Sequence, residues 1–268
     1  MYFLNRPKKN LGQNFLTDQN IIKKIVTIGC VEKSKTVLEI GPGYGNLTKE
    51  ILNYKPKKIF AVEKDKDLFF YLKDCFENFK NIKVINDDIL DYLKKKSLEK
   101  KVIIFGNLPY NISTQILASL ILTKNLNPLY EVLIFMFQKE VADRILAKSG
   151  SKSYGRLSIL SNWKLDIKKH FDVSRNCFSP KPNINSSILS FKPKKKILFK
   201  IKNPNNLELV TRILFSNRRK MINKNFLKLF KNNKNIADDL KINLNKRPEE
   251  LSNEMFYKIT QKYEELVN

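Results

Sequence analysis

The stretch VLEIGPGYGNLT, residues 37–48, decides how this chain is read. It opens as a buried strand, apolar but for Glu39, and ends in an apolar-periodic run of helical spacing. Between the two, Gly41, Gly43 and Gly45 fall within five residues. Strand, glycine turn and helix together place a ligand at the carboxyl end of the strand, because backbone without Cβ atoms turns tightly and passes close to a bound molecule. A dinucleotide fingerprint needs its last glycine at position 46, where this chain has Asn46, and no phosphate-loop lysine follows. The spacing suits a nucleoside-bearing ligand with no pyrophosphate to cradle.

Two acids downstream extend the pattern. Glu63 ends the apolar run KIFAVE, 22 residues after Gly41. A carboxylate there can accept hydrogen bonds from both hydroxyls of a ribose. NDDIL, residues 86–90, follows the next run and offers Asp87 and Asp88, either of which can take the exocyclic amine of an adenine. Their positions do not choose between them. Glycine turn, ribose acid and adenine acid at the ends of successive strands favour S-adenosylmethionine as the ligand, with NAD second.

Apolar runs continue to alternate with helical patterns on either side. Residues 36–40, 58–63, 82–86, 101–105 and 130–137 read as strands covered on both faces, rich in Val, Ile and Phe. Helical segments are predicted over 46–53, 66–79, 113–123 and 139–148. Two further strands are expected near 164–171 and 187–191, the second as an antiparallel edge. The fold class expected is α/β: a doubly wound, Rossmann-like sheet with right-handed crossovers, followed by a small all-helical C-terminal domain. Residues 1–191 are assigned to a cofactor-binding catalytic domain, 192–206 to a basic linker with six lysines, and 207–268 to a helical, RNA-contacting domain.

GNLPYN, residues 106–111, ends the fourth of these strands. In a doubly wound sheet that strand lies beside the first, so Asn107 emerges next to the ligand. The exocyclic amine of adenine is a poor nucleophile, since its lone pair is delocalised into the ring. Asn107 can accept one of its N–H groups and the Leu108 carbonyl the other, which aims the lone pair outward. Pro109 fixes the backbone there, and Tyr110 offers a face for base stacking, worth about 1–3 kcal/mol.

Composition narrows the partners. The chain has 268 residues, 51 Lys plus Arg against 26 Asp plus Glu, and a net charge of +25, of which the last 77 residues carry +11. A field this positive attracts polyanions, whatever the coding bias behind its Lys, Asn and Ile. Cys30, Cys75 and Cys177 are odd in number and widely spaced, which disfavours a disulfide framework or a zinc site and fits a cytoplasmic protein. The lone His170 sits in KKHFD without a nucleophile elbow elsewhere, and reads as structural. No metal site, secretory signal or membrane span is expected.

NLGQNFLTD, VLEIGPGYGNLT, VEKD, NLPYNIS, FMFQKEVADRI, YGRLSIL, CFSPKPNINSS and SNRRKMI together resemble the bacterial small-subunit (16S) ribosomal RNA adenine dimethyltransferases, the family whose loss confers kasugamycin resistance. The likeness runs from about Lys9 to the C-terminus. It implies that Asn14 and Leu16 belong to a motif closing over S-adenosylmethionine. It implies further that Gly41, Glu63, Asp88 rather than Asp87, and Asn107 contact the cofactor, and that Phe178 faces Tyr110 across the target base. The implied reaction is N6,N6-dimethylation of two adjacent adenosines in the 3′-terminal hairpin loop of 16S RNA, on the immature 30S subunit, by a monomer. Lys8, Lys9, Arg218, Arg219 and Lys220 are the candidate RNA contacts. Asn183 and Asn185 stand where the family usually has a lysine and an aspartate, which removes any salt bridge at that loop. Three other readings remain: a macrolide-resistance dimethyltransferase acting on 23S RNA, a DNA adenine methyltransferase, and an RNA-binding assembly factor whose catalysis is dispensable.

Overall fold

The structure, a computed structural model, describes residues 7–8, 12–95, 101–123, 130–233 and 235–267. Its centre is a sheet of β2 (Thr36–Ile40), β3 (Lys58–Glu63), β4 (Ile82–Asn86), β5 (Val102–Asn107), β6 (Tyr130–Gln138), β7 (Leu165–Val173) and β9 (Ser186–Pro193), in the order β4-β3-β2-β5-β6-β9-β7. The β4-β3-β2-β5-β6 pairings are parallel and β6–β9 is antiparallel. The strand order reverses between β2 and β5, and ligands of open α/β sheets bind at such switch points. All five residues of β2 are buried, Glu39 included, as a strand covered on both faces requires.

Register sets the site. Ile40 pairs with both Val62 and Gly106, so Gly41, Glu63 and Asn107 leave neighbouring strands at nearly one level. A small sheet of β1 (Phe15–Leu16) and β8 (Phe178–Ser179) adds Leu16 and Phe178 to the core, beside Val37, Phe105 and Met136. The helices α1 (Gln19–Ile28), α2 (Asn46–Asn53) and α3 (Lys66–Cys75) follow the first strands. Asp18 caps α1 by accepting from the Asn20 and Ile21 amides, and Ile22, Ile25 and Val26 supply its buried stripe at helical spacing.

Several expectations change. The strand over 186–193 is not an edge; it lies between β6 and β7. α3 stops at Cys75, short of residue 79, because Phe76 turns inward, where its ring lies 2.9 Å from where a Cβ on Gly45 would stand. α1, α4 (Ile89–Lys95) and α7 (Arg156–Lys164) were not anticipated.

Contacts divide the described residues into two compact units that follow no single cut in the sequence. One takes those within Met1–Ile116, Asn127–Ala142 and Ile167–Pro193; the other takes those within Leu117–Leu126, Asp143–Asp166 and Lys194–Asn268. The second unit contains α7, α8 (Pro204–Leu214), α9 (Asn223–Leu229), α10 (Asn235–Asp239) and α11 (Asn253–Val267). Of residues 192–206, expected as a linker, Lys192 and Pro193 end β9 in the first unit and 194–206 belong here. Trp163 Nε1 donates to the Phe199 carbonyl at 2.9 Å, and Lys194 donates to the carbonyls of Lys164 and Asn162. The Glu264 carboxylate accepts from the Lys202 and Asn203 amides, both at 2.8 Å, and so ties α11 to the start of α8. Among the described residues no helix is long and apolar enough to cross a membrane.

Candidate active site

The cavity at the switch point is lined by Asn14, Gly41, Glu63, Asp88, Asn107 and Tyr110, among others, all within the first unit. Glycine makes the floor possible. Gly41, Gly43 and Gly45 all have positive φ, near 64°, 60° and 74°, a backbone conformation that costs other residues about 1–2 kcal/mol. They differ in what lies over them. A Cβ on Gly43 would stand 2.7 Å from the Phe15 ring, whereas a Cβ on Gly41 would meet nothing within 4 Å. That open space at Gly41 is where a ligand can approach the backbone.

Glu63 is 6% exposed. Its Oε2 accepts from the Gly43 amide at 3.1 Å and its Oε1 from the Asp65 amide at 2.8 Å. A carboxylate has about four acceptor sites, so each oxygen retains capacity for a hydroxyl. Burial raises its pKa above the usual carboxylate range, and the hydrogen bonds from the Asp65 and Gly43 amides act against that. Glu39, 2% exposed, accepts from the Thr48 hydroxyl at 2.6 Å. Burial pushes it up to about 7, with Glu63 adding to the shift and the Thr48 bond opposing it.

Both Asp87 and Asp88 line the cavity. Asp88 receives Lys64 Nζ at 2.7 Å on one oxygen and the Leu90 amide at 2.9 Å on the other. Burial opposes its ionisation, but the Lys64 ammonium and the Leu90 amide prevail and its pKa is lowered.

Asn107 is the last residue of β5. Its Nδ2 donates to the Asn14 carbonyl at 2.8 Å, and its Oδ1 has no partner among the described residues. The amide is therefore oriented: donor toward the N-terminal segment, acceptor free. Leu108 buries its side chain back over Gly106, where a Cβ would stand 2.4 Å from it. The Tyr110 hydroxyl shares a hydrogen bond of 2.8 Å with Ser186 Oγ from β9, which pins the ring; burial raises the phenol pKa despite that bond. Ser186 was not singled out in the sequence. The Ser-Ser pair of the CFSPKPNINSS loop was its only mark.

Leu16 lines a second recess that also touches Glu39, Gly41, Gly43 and Asn107. Phe178 lines neither recess. It is 5% exposed, buried opposite Leu16 in the β1–β8 pair. The loop departures are absorbed locally: Asn185 Oδ1 accepts from the Arg175 amide at 3.1 Å, and the Asn183 carbonyl accepts from its guanidinium at 3.3 Å. His170 shares a hydrogen bond of 2.8 Å with Ser190.

A family model described as ribosomal RNA adenine dimethylase matches residues 4–265. The chain belongs to the ribosomal RNA adenine dimethylase family. It is 51% identical over 261 residues to the ribosomal RNA small subunit methyltransferase A of Pelagibacter ubique, covering 97% of this chain and 98% of that protein. A crystal structure of a dimethyladenosine transferase from Plasmodium falciparum superposes with a TM-score of 0.76 at 28% identity, over 94% of this chain and 98% of the other. The 23S rRNA methyltransferase ErmE shares the fold, with a TM-score of 0.68 at 21% identity over 93% and 99% of the two chains.

The basic residues of this dimethylase sort by partner. Lys8, a candidate RNA contact, donates to Asp65 at 2.8 Å and to Asp67 at 2.7 Å. Arg218, another candidate, donates to Glu249 at 2.8 Å and to the Lys152 carbonyl, both within the second unit. Arg219 and Lys220 line a surface recess with Lys224 and Arg247, and none of the described residues lining it is acidic. Lys9 lies outside the described residues.

Proposed function

We propose that this protein transfers methyl groups from S-adenosylmethionine to the N6 amines of two adjacent adenosines in the 3′-terminal hairpin loop of 16S ribosomal RNA, on the immature small subunit. The observation that carries the reading is the oriented Asn107 amide beside Gly41. Its Nδ2 is spent on Asn14, and its Oδ1 is left to accept.

The residues fit the cofactor. Gly41 leaves room for it, Glu63 retains acceptor capacity for ribose hydroxyls, and Asp88 offers acceptor capacity for an adenine amine. When bound, S-adenosylmethionine supplies an electrophilic methyl on a sulfonium. Asn107 Oδ1 and the Leu108 carbonyl then accept the two N–H groups of the target amine and hold its lone pair outward. Tyr110, pinned by Ser186, stacks on the target base. Phe178 reaches the far face of that base only if its side chain leaves the β1–β8 contact. The proton lost after each transfer passes to water, so no strong base is required. Unstacking the adenosine costs a few kcal/mol and is cheapest in a loop. Arg219 and Lys220, with Lys224 and Arg247, supply phosphate contacts. The protein acts as a cytoplasmic monomer.

The test is mass spectrometry of digested 16S RNA from cells with the wild-type protein and with Asn107→Ala. Loss of dimethyladenosine from 16S RNA in the variant, with at least ~10²-fold slower transfer in vitro and RNA binding retained, is the expected result. Loss of the modification from 23S RNA alone would assign the protein to the macrolide-resistance activity. Unchanged turnover would remove Asn107 from the chemistry.

A further inference from the structure

Gln13 and Asn14 belong to the wall of the cavity, yet neither is held there by its own element. They are fastened from outside. The Asp65 carboxylate receives Gln13 Nε2 on Oδ2 at 2.8 Å and Lys8 Nζ on Oδ1 at 2.8 Å. The Lys8 amide in turn donates to Gln13 Oε1 at 2.7 Å, and Lys8 Nζ also reaches Asp67 at 2.7 Å. Asp65 is 4% exposed. One residue beyond Gln13, the Asn14 carbonyl accepts from Asn107 Nδ2, the bond that orients the catalytic amide. Two residues before Asp65 stands Glu63, which accepts the Asp65 amide. Asp65 therefore touches the cavity's acid on one side and the segment that aims Asn107 on the other.

We propose that Asp65 is a positioning residue for methyl transfer: with Lys8 and Gln13 it latches the N-terminal segment over the donor cavity, and through Asn14 it sets the direction of the Asn107 amide. The inference rests on the reading of this cavity as the methyl-donor site. A carboxylate is the group the latch requires, because Gln13 and Lys8 both present donors to it. An amide in its place turns one acceptor oxygen into a donor and removes the charge that holds Lys8. Asp65 has a second task, the cap of α3, where Oδ1 accepts the Asp67 amide at 3.0 Å. Asn caps helices as well as Asp does. Asp65→Asn therefore weakens the latch and leaves the helix start intact.

The experiment compares wild type, Asp65→Asn, Lys8→Met and the double variant. Binding of S-adenosylhomocysteine is measured by calorimetry, kcat by methyl transfer to immature small subunits, and amide exchange over residues 12–16 without ligand. If loss of the latch leaves the segment closed a tenth of the time, the apparent Kd rises about tenfold. The misdirected Asn107 amide lowers kcat by a further factor of about 10 or more. Exchange over residues 12–16 quickens while melting temperature holds. Lys8→Met, which leaves the Gln13–Asp65 bond in place, shows the smaller change, and the double variant is no worse than Asp65→Asn, as residues acting through one carboxylate require. Additive effects, or a melting temperature that falls while Kd, kcat and exchange stay at wild-type values, would overturn the latch. A wild-type protein that binds no S-adenosylhomocysteine would overturn the donor reading itself, and the amide-exchange comparison keeps the two failures apart.

Discussion

Glu39 shows what one residue contributes beneath a site. It sits fully buried at the end of β2 with a single hydroxyl partner, Thr48, and titrates near 7 instead of near 4.5. Between those values the folded protein holds a proton that the unfolded chain has released. Stability from this group therefore falls as pH rises from about 4.5 to about 7, and the loss persists above that window. Glu39→Gln, which stays neutral, should lose less stability than wild type between pH 5 and pH 8. The expected difference is roughly 1–3 kcal/mol, read from denaturant unfolding at the two pH values. Parallel curves for the two proteins would place the charge elsewhere. Tyr110 poses a simpler question. Tyr110→Phe removes only the Ser186 bond and should cost less than tenfold in turnover. Tyr110→Ala removes the ring and should weaken productive RNA binding by roughly 1–3 kcal/mol, read as KM for the RNA.

Between elements, the glycine turn and β1 are fitted to each other. Gly41→Ala and Gly43→Ala share the cost of a left-handed backbone, about 1–2 kcal/mol. Only Gly43→Ala drives a methyl into Phe15. Gly41→Ala should thus lower the melting temperature less, while still weakening S-adenosylhomocysteine binding, because its methyl points into open space. Phe15→Ala should restore part of the stability lost in Gly43→Ala. Equal melting temperatures for the two glycine variants would mean that Phe15 moves aside at no cost. The elements that carried this geometry were unequally legible. β2, β3 and β4 stand where their apolar runs place them, residue for residue, because strands buried on both faces leave a continuous signal. α2 begins at Asn46, directly after the glycines that announced it. The two-residue strands β1 and β8 left none, since two residues carry no period, and their pairing joins positions some 160 apart. Ser186 behind Tyr110, and Asp65 behind Gln13, were hidden for the same reason: each bonds across the fold to a residue far from it in sequence. Lys8 shows the converse. In a chain this basic it reads as a candidate RNA contact, and two carboxylates distant in sequence pair with it.

At the scale of the molecule, the charge of +25 sets how RNA arrives. Each phosphate neutralised releases counterions, so log affinity should fall linearly with log salt, by about 0.7 per contact on single strands. Arg218 and its neighbours separate two uses of charge. Arg219→Ala with Lys220→Ala should flatten that slope and leave the melting temperature in place. Arg218→Ala should lower the melting temperature, because Glu249 loses its guanidinium and the Lys152 carbonyl its donor. Filter binding across a salt series, paired with thermal melts, reads both. An Arg218 variant of wild-type stability would return that residue to the RNA surface.

The pairing of β1 with β8 also sets a timetable. Thr17 donates to the Cys177 carbonyl through both its amide, at 2.9 Å, and its hydroxyl, at 3.1 Å. Phe15 and Leu16 find their strand partners in Ser179 and Phe178. A chain emerging N-terminus first at 5–20 residues per second needs roughly 10–30 s to make the second half of that pair. Within that interval β2 to β5 are synthesised and the glycine turn can form. The wall that will face the cofactor has no strand to lie against until then, so a nascent chain builds its cofactor floor early and its closed cofactor site late.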